Sequence, residues 1–445
     1  MRQSALGALV GSYSEQEMQN SNVSPWPSFT EEEAEAVANV IRSNKVNYWT
    51  GSSGRQFETE FARWAGTSHA IAVANGTVAL DLALHGLGIG RANGGRSDDE
   101  VVVTPRTFLA SVSCVVNAGA RPIFADVDPE SGNIAAETIN AVLTDRSRAI
   151  IVVHLGGWPA DMGPIMALAE TRGIKVVEDC AQAHGALYQG KSVGSIGHVG
   201  AWSFCQDKIM TTGGEGGMVT TNDRDLWSKM WSFKDHGKSW EAVYEREHGP
   251  GFRWLHDSFG TNWRMIEMQA VIGSIQLRRM SAWTSARADN AAILRSAIAP
   301  FAGPAGVIRE SQTGHFVDDA TSRHANYKFY FYVRPERLRA GWNRDRIVAE
   351  VNERGVPCFT GSCSEVYLER AFDGTDMRPS RSLPIARELG ETSVMMLVHP
   401  TLTADEIARA ATVIGHVLFE ASEERADAFG VDDDMRRRGS ASAGR

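Results

Sequence analysis

Lysine is scarce in this sequence. Eight of the 445 residues are lysine, at positions 45, 175, 191, 208, 229, 234, 238 and 328, against 37 arginines. Chemistry that needs a primary amine therefore has few places to reside. Cysteine is scarce too: Cys114, Cys180, Cys205, Cys358 and Cys363 are odd in number and contain no C-x-x-C spacing. That argues against a disulfide framework and for a reducing cytoplasm. Cys358 and Cys363 have no second close pair beside them, so they read as loop cysteines and no metal site is expected. No run is long and apolar enough for a signal-peptide core or a membrane span. A basic footprint is also missing. With 54 acidic residues against 45 basic ones the net charge is −9, which speaks against nucleic acid as a partner. Glycine is abundant, at 43 residues, but has no three-residue period, which excludes a collagen-like chain.

At ~150 residues per domain, a chain of this length holds two or three domains. Seven short β-rich runs stand out, at 70–74, 101–104, 122–127, 150–153, 175–178, 200–204 and 217–221. Helical patterns at 78–87, 110–118 and 164–172 lie between the early ones. Strands alternating with helices predict βαβ units, a mainly parallel sheet and helices on both faces. Sites on such sheets gather at the carboxyl ends of the strands. Thr30 followed by Glu31, Glu32 and Glu33 is a helix start, with a capping hydroxyl and a glutamate at N3. After Asn262 the regime changes: a long alanine-rich helix over 265–298, a strand over 327–333, and helices over 345–354 and 404–419. The expected division is an arm over 1–24, a large domain over 25–279, a smaller α/β domain over 280–421 and a disordered tail over 422–445.

Two motifs mislead. Gly185-Ala-Leu-Tyr-Gln-Gly190-Lys191-Ser192 matches G-x-x-x-x-G-K-[ST] letter for letter. A phosphate cradle needs a strand running into the first glycine and a helix starting at the lysine. Here five residues intervene before the first glycine and two more glycines follow Ser192, so a hairpin turn is expected. The cluster Gly86-Leu-Gly88-Ile-Gly90 follows a helix and reads as its C-cap, not as a dinucleotide fingerprint.

The chemistry concentrates elsewhere. Ala201-Trp-Ser203-Phe-Cys-Gln-Asp207-Lys208 runs from a strand into a glycine-rich turn ending Gly213-Gly-Glu-Gly-Gly217. A lysine there reaches solvent or forms a Schiff base with a carbonyl. Val176-Val-Glu-Asp179-Cys-Ala-Gln182-Ala-His184 ends a strand in an aspartate that can meet a protonated pyridine nitrogen, or can cap a turn. Asn75-Gly76-Thr77 offers amides and a hydroxyl at a helix start, which suits phosphate. Phe108, just beyond another strand, can stack on a flat ring or enter the core.

Together these residues resemble the DegT/DnrJ/EryC1/StrS family of sugar aminotransferases, from Pro25 to His416. The resemblance implies the pyridoxal-phosphate-dependent transferase type I fold: an α/β large domain with a mainly parallel seven-stranded sheet, plus a smaller C-terminal α/β domain. It implies that Lys208 holds pyridoxal 5′-phosphate covalently and moves the proton. By the same resemblance Asp179 faces the ring nitrogen, Gln182 the ring hydroxyl and Phe108 the ring face, while Gly76, Thr77 and Ser203 hold the phosphate. Gly260-Thr-Asn262-Trp-Arg-Met265 matches an element through which the family supplies an asparagine from the neighbouring subunit, so Asn262 implies a homodimer with a shared active site. The run Leu397-Val-His-Pro400-Thr-Leu-Thr403 is similar to the family's motif before its last helix.

The implied activity is amino transfer from L-glutamate to a nucleotide-linked keto-deoxysugar, for surface polysaccharide, glycan or antibiotic biosynthesis. Related dehydratases carry histidine in place of the lysine, and Lys208 is retained here. Two alternatives stay open: a non-nucleotide cyclic ketone as acceptor, or a non-catalytic regulatory protein on the same fold. Two departures stand out. Many relatives have an aromatic after His-Leu where this chain reads His154-Leu155-Gly156-Gly157-Trp158, and Trp158 is a candidate to refill the space. Relatives often have Ser, Thr or Asn before the lysine where this chain has Asp207, which either favours a protonated nitrogen or points to solvent. Substrate contacts are sought in the loops at 47–51, 234–237 and 253–256 and at Tyr327, whereas His154 and His236 read as packing residues.

Overall fold

The computed structural model describes residues 23–311 and 321–422. The expected N-terminal arm and C-terminal tail lie outside the described residues, apart from positions 23, 24 and 422.

In chain order the main elements are helices α1 (Glu31–Ser43) and α2 (Ser53–Ala65), strand β1 (His69–Val73), α3 (Gly76–Leu87), β2 (Glu100–Val103), α4 (Ala110–Asn117), β3 (Arg121–Phe124), β4 (Ser147–Val153), α5 (Met162–Arg172) and β5 (Lys175–Asp179). A small hairpin, β6 (Leu187–Tyr188) and β7 (Lys191–Ser192), precedes β8 (Val199–Ser203), β9 (Gly217–Thr221), α6 (Arg224–Phe233) and the long α7 (Glu267–Ile298). The remainder comprises β10 (Ile308–Glu310), β11 (Phe329–Val333), α8 (Arg344–Glu353), β12 (Cys358–Phe359), α9 (Pro384–Thr392), β13 (Ser393–Met396) and α10 (Ala404–Ala421).

All seven β-rich runs of the first part enter one sheet, in the order β1-β9-β8-β5-β4-β2-β3. Its pairings are parallel except those made by β9, which runs against β1 and β8. Side chains alternate between the faces, as a pleated strand requires. Val101, Val103, Ala149 and Ile151 pack with Leu80, Leu84 and Val112 of α3 and α4 on one face. Val102, Ile150 and Val152 pack with Ile165 and Ala169 of α5 on the other, and Ala72 and Trp202 meet Phe57 and Phe61 of α2 there. Strands covered on both faces read as continuous apolar runs, which is why the sequence reveals them.

The second sheet, β10-β11-β13-β12, is antiparallel throughout. Phe329, Phe331 and Val333 of β11 pack with Ile347, Val351, Ile407 and Leu418. The alternate residue Tyr332 joins the cluster of the large sheet instead. Helix α7, about 48 Å long at 1.5 Å per residue, contributes Leu277 and Met280 to the first core and Leu294 and Ile298 to the second. Among the described residues no helix is long and apolar enough to cross a membrane.

Local expectations fare differently. Glu33 closes the start of α1 by accepting from the Thr30 amide at 2.6 Å and hydroxyl at 2.9 Å. The nucleotide-like motif forms the β6–β7 hairpin, with Gln189 at φ 47° and Gly190 at φ 76° in its turn. Two consecutive left-handed residues there suit a tight hairpin and no helix start. Gly88 caps α3 at φ 68°. Cys358 is not a loop cysteine but a buried strand residue.

Candidate active site

Strand register assembles the site. Val73 and Ser203 both pair with Gly217, Asp179 pairs with Ala201, and Val153 pairs with Asp179. The ends of β1, β8, β5 and β4 therefore open on one edge of the sheet, where α/β sheets bind their ligands.

Asp179, the last residue of β5, is 6% exposed. Its carboxylate accepts from Ser111 Oγ at 2.7 Å and from the Ala181 amide at 3.1 Å. Burial pushes its carboxyl above the ordinary range, opposed by the Ser111 and Ala181 hydrogen bonds and by the charge of Lys208. Thr107 Oγ1 lies 2.8 Å from Ser111 Oγ, so the loop after β2 supports the aspartate through α4. Sequence reasoning missed Ser111. Its one signal was a hydroxyl four residues after Thr107 on the buried side of α4, beside Val112 and Val115.

Lys208 sits on the turn after β8, its side chain 17% exposed, with Nζ 3.4 Å from Asp207 Oδ1. The Trp26 indole donates to the Lys208 carbonyl at 2.9 Å. Trp26 itself is packed between Trp283 and His399. Asp207 does not simply face solvent: its other oxygen accepts from the Tyr327 hydroxyl at 2.5 Å. Burial pushes Asp207 up, yet Lys208, Tyr327 and Lys328 together hold it below the usual carboxylate range.

At the start of α3, Asn75 Oδ1 accepts from the Val78 amide, and the Gly76 and Thr77 amides donate to nothing among the described residues. Gly76 lies so close to Ser203 that a Cβ there would come 2.5 Å from the serine Cβ. Gly217 is equally confined, because a Cβ would stand 2.3 Å from the Asn75 carbonyl oxygen. These contacts bring Gly76, Thr77 and Ser203 together.

Gln182 Oε1 accepts from the Gly156 amide at 2.8 Å, which fixes the amide's orientation and leaves its NH₂ to donate elsewhere. Gly156 and Gly157, at φ 65° and 95°, also receive the backbone amides of Tyr327 and Ala325. The backbone of Gly156 is thus tied to Gln182 and to the 325–327 segment, while Trp158 lies edge-on to His324. Phe108 is not a core residue, at 57% exposed. Asn262 is exposed on the surface, its backbone bridged to Asp235.

Of the 234–237 segment only His236 is exposed. Lys234 is fully buried, with Nζ 3.0 Å from Glu58 Oε1 and 4.0 Å above the Tyr48 ring. Asp235, also buried, receives the Trp49 indole at 2.6 Å together with Arg264 and Lys238. Glu58 accepts from Tyr48 as well, so this network braces α2, β1 and α6. His154 is buried: its Nδ1 accepts from the Ala160 amide, leaving Nε2 to donate to Glu178 at 3.1 Å. Glu178 also accepts from the amides of Gly194, Ile196 and Gly197. His154, Glu178 and Cys180 stand within metal-ligand reach of one another. The lone pairs of His154 and Glu178 are already committed to backbone and ring hydrogens, while the Cys180 thiol donates to the Glu178 carbonyl and burial raises it far from its reactive form.

Comparison with known proteins places this geometry. Residues 27–415 match the model of the DegT/DnrJ/EryC1/StrS aminotransferase family. A UDP-N-acetyl-3-dehydro-alpha-D-glucosamine 3-aminotransferase of Acidithiobacillus ferrooxidans is 35% identical over 378 residues, 84% of this chain and 90% of that one. A GDP-perosamine synthase of Caulobacter vibrioides is 34% identical, covering 83% of this chain and 92% of its own. The crystal structure of an aminotransferase from Psychrobacter cryohalolentis is 59% identical and superimposes with a TM-score of 0.86 over 90% of this chain and 99% of that one.

Proposed function

The chain belongs to the DegT/DnrJ/EryC1/StrS aminotransferase family, and on that premise we propose that it moves an amino group from L-glutamate to the keto carbon of a nucleotide-linked deoxysugar, using pyridoxal 5′-phosphate. The observation that carries the reading is a lysine turn and a buried aspartate on one sheet edge, close enough for the Lys208 charge to act on Asp179. Sugar nucleotides named for the relatives, UDP- and GDP-linked, supply the acceptor class.

The residues fit that cofactor. A carboxylate that burial makes costly to ionise gains a partner from a protonated ring nitrogen. The free Gly76 and Thr77 amides, the Ser203 hydroxyl and a helix start leave room for a phosphate and none for a side chain at position 76. Gln182 has its NH₂ free to donate to a ring hydroxyl, and the exposed Phe108 ring is available to cover a flat face.

Bound pyridoxal phosphate supplies the carbonyl and the electron-accepting ring that amino transfer requires. Lys208 Nζ would hold it and, once freed by the donor amine, would be the base that takes and returns the proton moved in the transfer. Asp179 would keep the ring nitrogen charged. Gln182, Phe108, Gly76, Thr77 and Ser203 fix the orientation, and Asn262 of the partner subunit completes the phosphate site in a homodimer. The reading includes a cofactor-binding large domain over 25–279 and a smaller domain over 280–421, in a cytoplasmic enzyme.

The test is the visible absorption spectrum of the purified chain with pyridoxal phosphate, before and after L-glutamate, followed by UDP- and GDP-linked ketosugars. The lysine-bound band is expected to disappear with glutamate and return with the acceptor. Repeated turnover by Lys208→Ala would overturn the reading.

A further inference from the structure

The two departures from the family pattern, at Gly156 and Asp207, meet at a single residue. Tyr327 gives its backbone amide to the Gly156 carbonyl at 3.1 Å and its hydroxyl to Asp207 Oδ2 at 2.5 Å. Ala325 docks on Gly157 in the same way, at 2.9 Å. This approach needs glycine: a Cβ at position 157 would stand 3.0 Å from the Tyr327 amide nitrogen and 3.1 Å from Ala325 Cβ. The 325–327 segment, which leads into β11, is thereby pressed onto the end of β4, and its tyrosine is aimed at the lysine turn.

Asp207 divides its two oxygens. Oδ2 is held by Tyr327, and Oδ1 faces Lys208 Nζ at 3.4 Å. The Tyr327 ring lies beside both nearby ammonium groups, with its centroid 5.5 Å from Lys208 Nζ and 4.8 Å from Lys328 Nζ. The backbone of the turn is fixed separately, by Trp26 at the Lys208 carbonyl. What remains free is the rotation of the lysine side chain, and Asp207 is the group placed to limit it.

We infer that Asp207 and Tyr327 are positioning residues for the Lys208 amine: the carboxylate, immobilised by the tyrosine hydroxyl, is the docking point of Nζ whenever the amine is free and charged. The inference rests on reading Lys208 as the residue that holds the cofactor. During amino transfer that lysine is detached, must not swing into solvent, and must carry a proton between two atoms. A fixed anion at ion-pair distance meets both needs, whereas Ser, Thr or Asn at this position offers a hydrogen bond without charge. The charged and titratable groups around Nζ are Asp207 and Cys205 on its own turn, Asp179 and His184 after β5, and Tyr327 and Lys328 before β11. Among these Asp207 is the anion in direct contact, so its removal should dominate.

The test labels amines rather than following turnover. The full chain, stripped of cofactor, is treated briefly with acetic anhydride at neutral pH, and acetylation of Lys208 is read by peptide mass spectrometry against the exposed Lys45 and Lys175. An amine docked on a fixed carboxylate is held away from the reagent, and loss of that anchor lets it swing out. Asp207→Asn should therefore raise Lys208 labelling severalfold and leave the two controls unchanged. Asp207→Glu should return it close to the parent, and Tyr327→Phe should raise it by a smaller factor. Parent-like labelling of Lys208 in Asp207→Asn overturns the inference. If that variant does not fold, an unchanged rate in Tyr327→Phe does so instead. Failure of the parent chain to give a visible band with pyridoxal phosphate would sink the cofactor reading and leave the labelling comparison standing.

Discussion

Ser111 Oγ donates to Asp179 Oδ2 at 2.7 Å, with Thr107 Oγ1 2.8 Å behind it. The serine is the first of the influences that offset the burial of this carboxylate. Ser111→Ala should cost about 1.5–3 kcal/mol, the range for a hydrogen bond to a charged group, and weaken retention of pyridoxal phosphate severalfold. Urea denaturation and equilibrium dialysis check the two separately. Full retention despite lowered stability would assign Ser111 to packing alone.

Asp179 itself should behave oppositely in the two states of the protein. Its folded carboxyl lies above the ordinary value, so the cofactor-free folded chain binds more protons than the unfolded one. That contribution is fully present below the unfolded value and is lost as pH rises through the folded one. Asp179→Asn should raise cofactor-free stability at pH 7 by about 1 kcal/mol while abolishing the visible band. Denaturation at pH 4 and pH 7 measures the first effect, since the variant's gain over the parent should grow across that interval.

Lys328 carries a related signature. Burial comes first among the causes that push its ammonium from 10.5 down to about 7; Arg287 and Lys208 add to it, and Asp207 opposes it. A depressed base contributes stability above its unfolded value that is lost as pH falls through the folded one, so the loss runs from pH 10.5 toward 7. Lys328→Met should flatten that slope, so that its stability relative to the parent is higher at pH 7 than at pH 9. Melting curves at pH 7 and pH 9 decide it, because the gain should shrink at the higher pH.

The Lys234–Glu58 pair predicts the reverse. Lys234 is fully buried, and its removal leaves Glu58 in the core without its cation. Lys234→Met should cost about 3–5 kcal/mol, and adding Glu58→Gln should recover part of the loss. A double variant as unstable as the sum of the two singles would count against a coupled pair.

Gly76→Ala tests the packing of the phosphate cradle. The new Cβ, 2.5 Å from Ser203 Cβ, must push α3 from the end of β8. The expected cost is about 1–3 kcal/mol, with a larger proportional loss in affinity for pyridoxal phosphate than for any denaturant effect at a distant glycine. Titration of the visible band gives the affinity.

Much of the scaffold was legible because its signals are local. Residues 150–153 are apolar throughout since both faces of β4 are covered, and Gly190 marks a turn because its backbone is left-handed. The misreadings share a cause. Lys234 looked like a loop cation because its partner Glu58 stands far away in the chain. Ser111 was hidden because a serine in an apolar helix gives no hint of a carboxylate arriving from β5. The role of Trp26 beneath the Lys208 turn was equally invisible, as was the meeting of Tyr327 with Asp207. Each depends on a non-local pair, and only folding brings the partners together.

The contacts of Tyr327 carry a consequence for descent. An aspartate arising at 207 without the tyrosine is an unanchored charge, and the tyrosine segment is crowded by any side chain at 157. The order of acquisition is therefore constrained, with the glycines first, then the tyrosine, then the acid. Once all three are present, losing Gly157 strands the other two. Lineages that carry the acid should keep the tyrosine and Gly157 as well, and lineages without it should show the glycines alone more often than the acid alone.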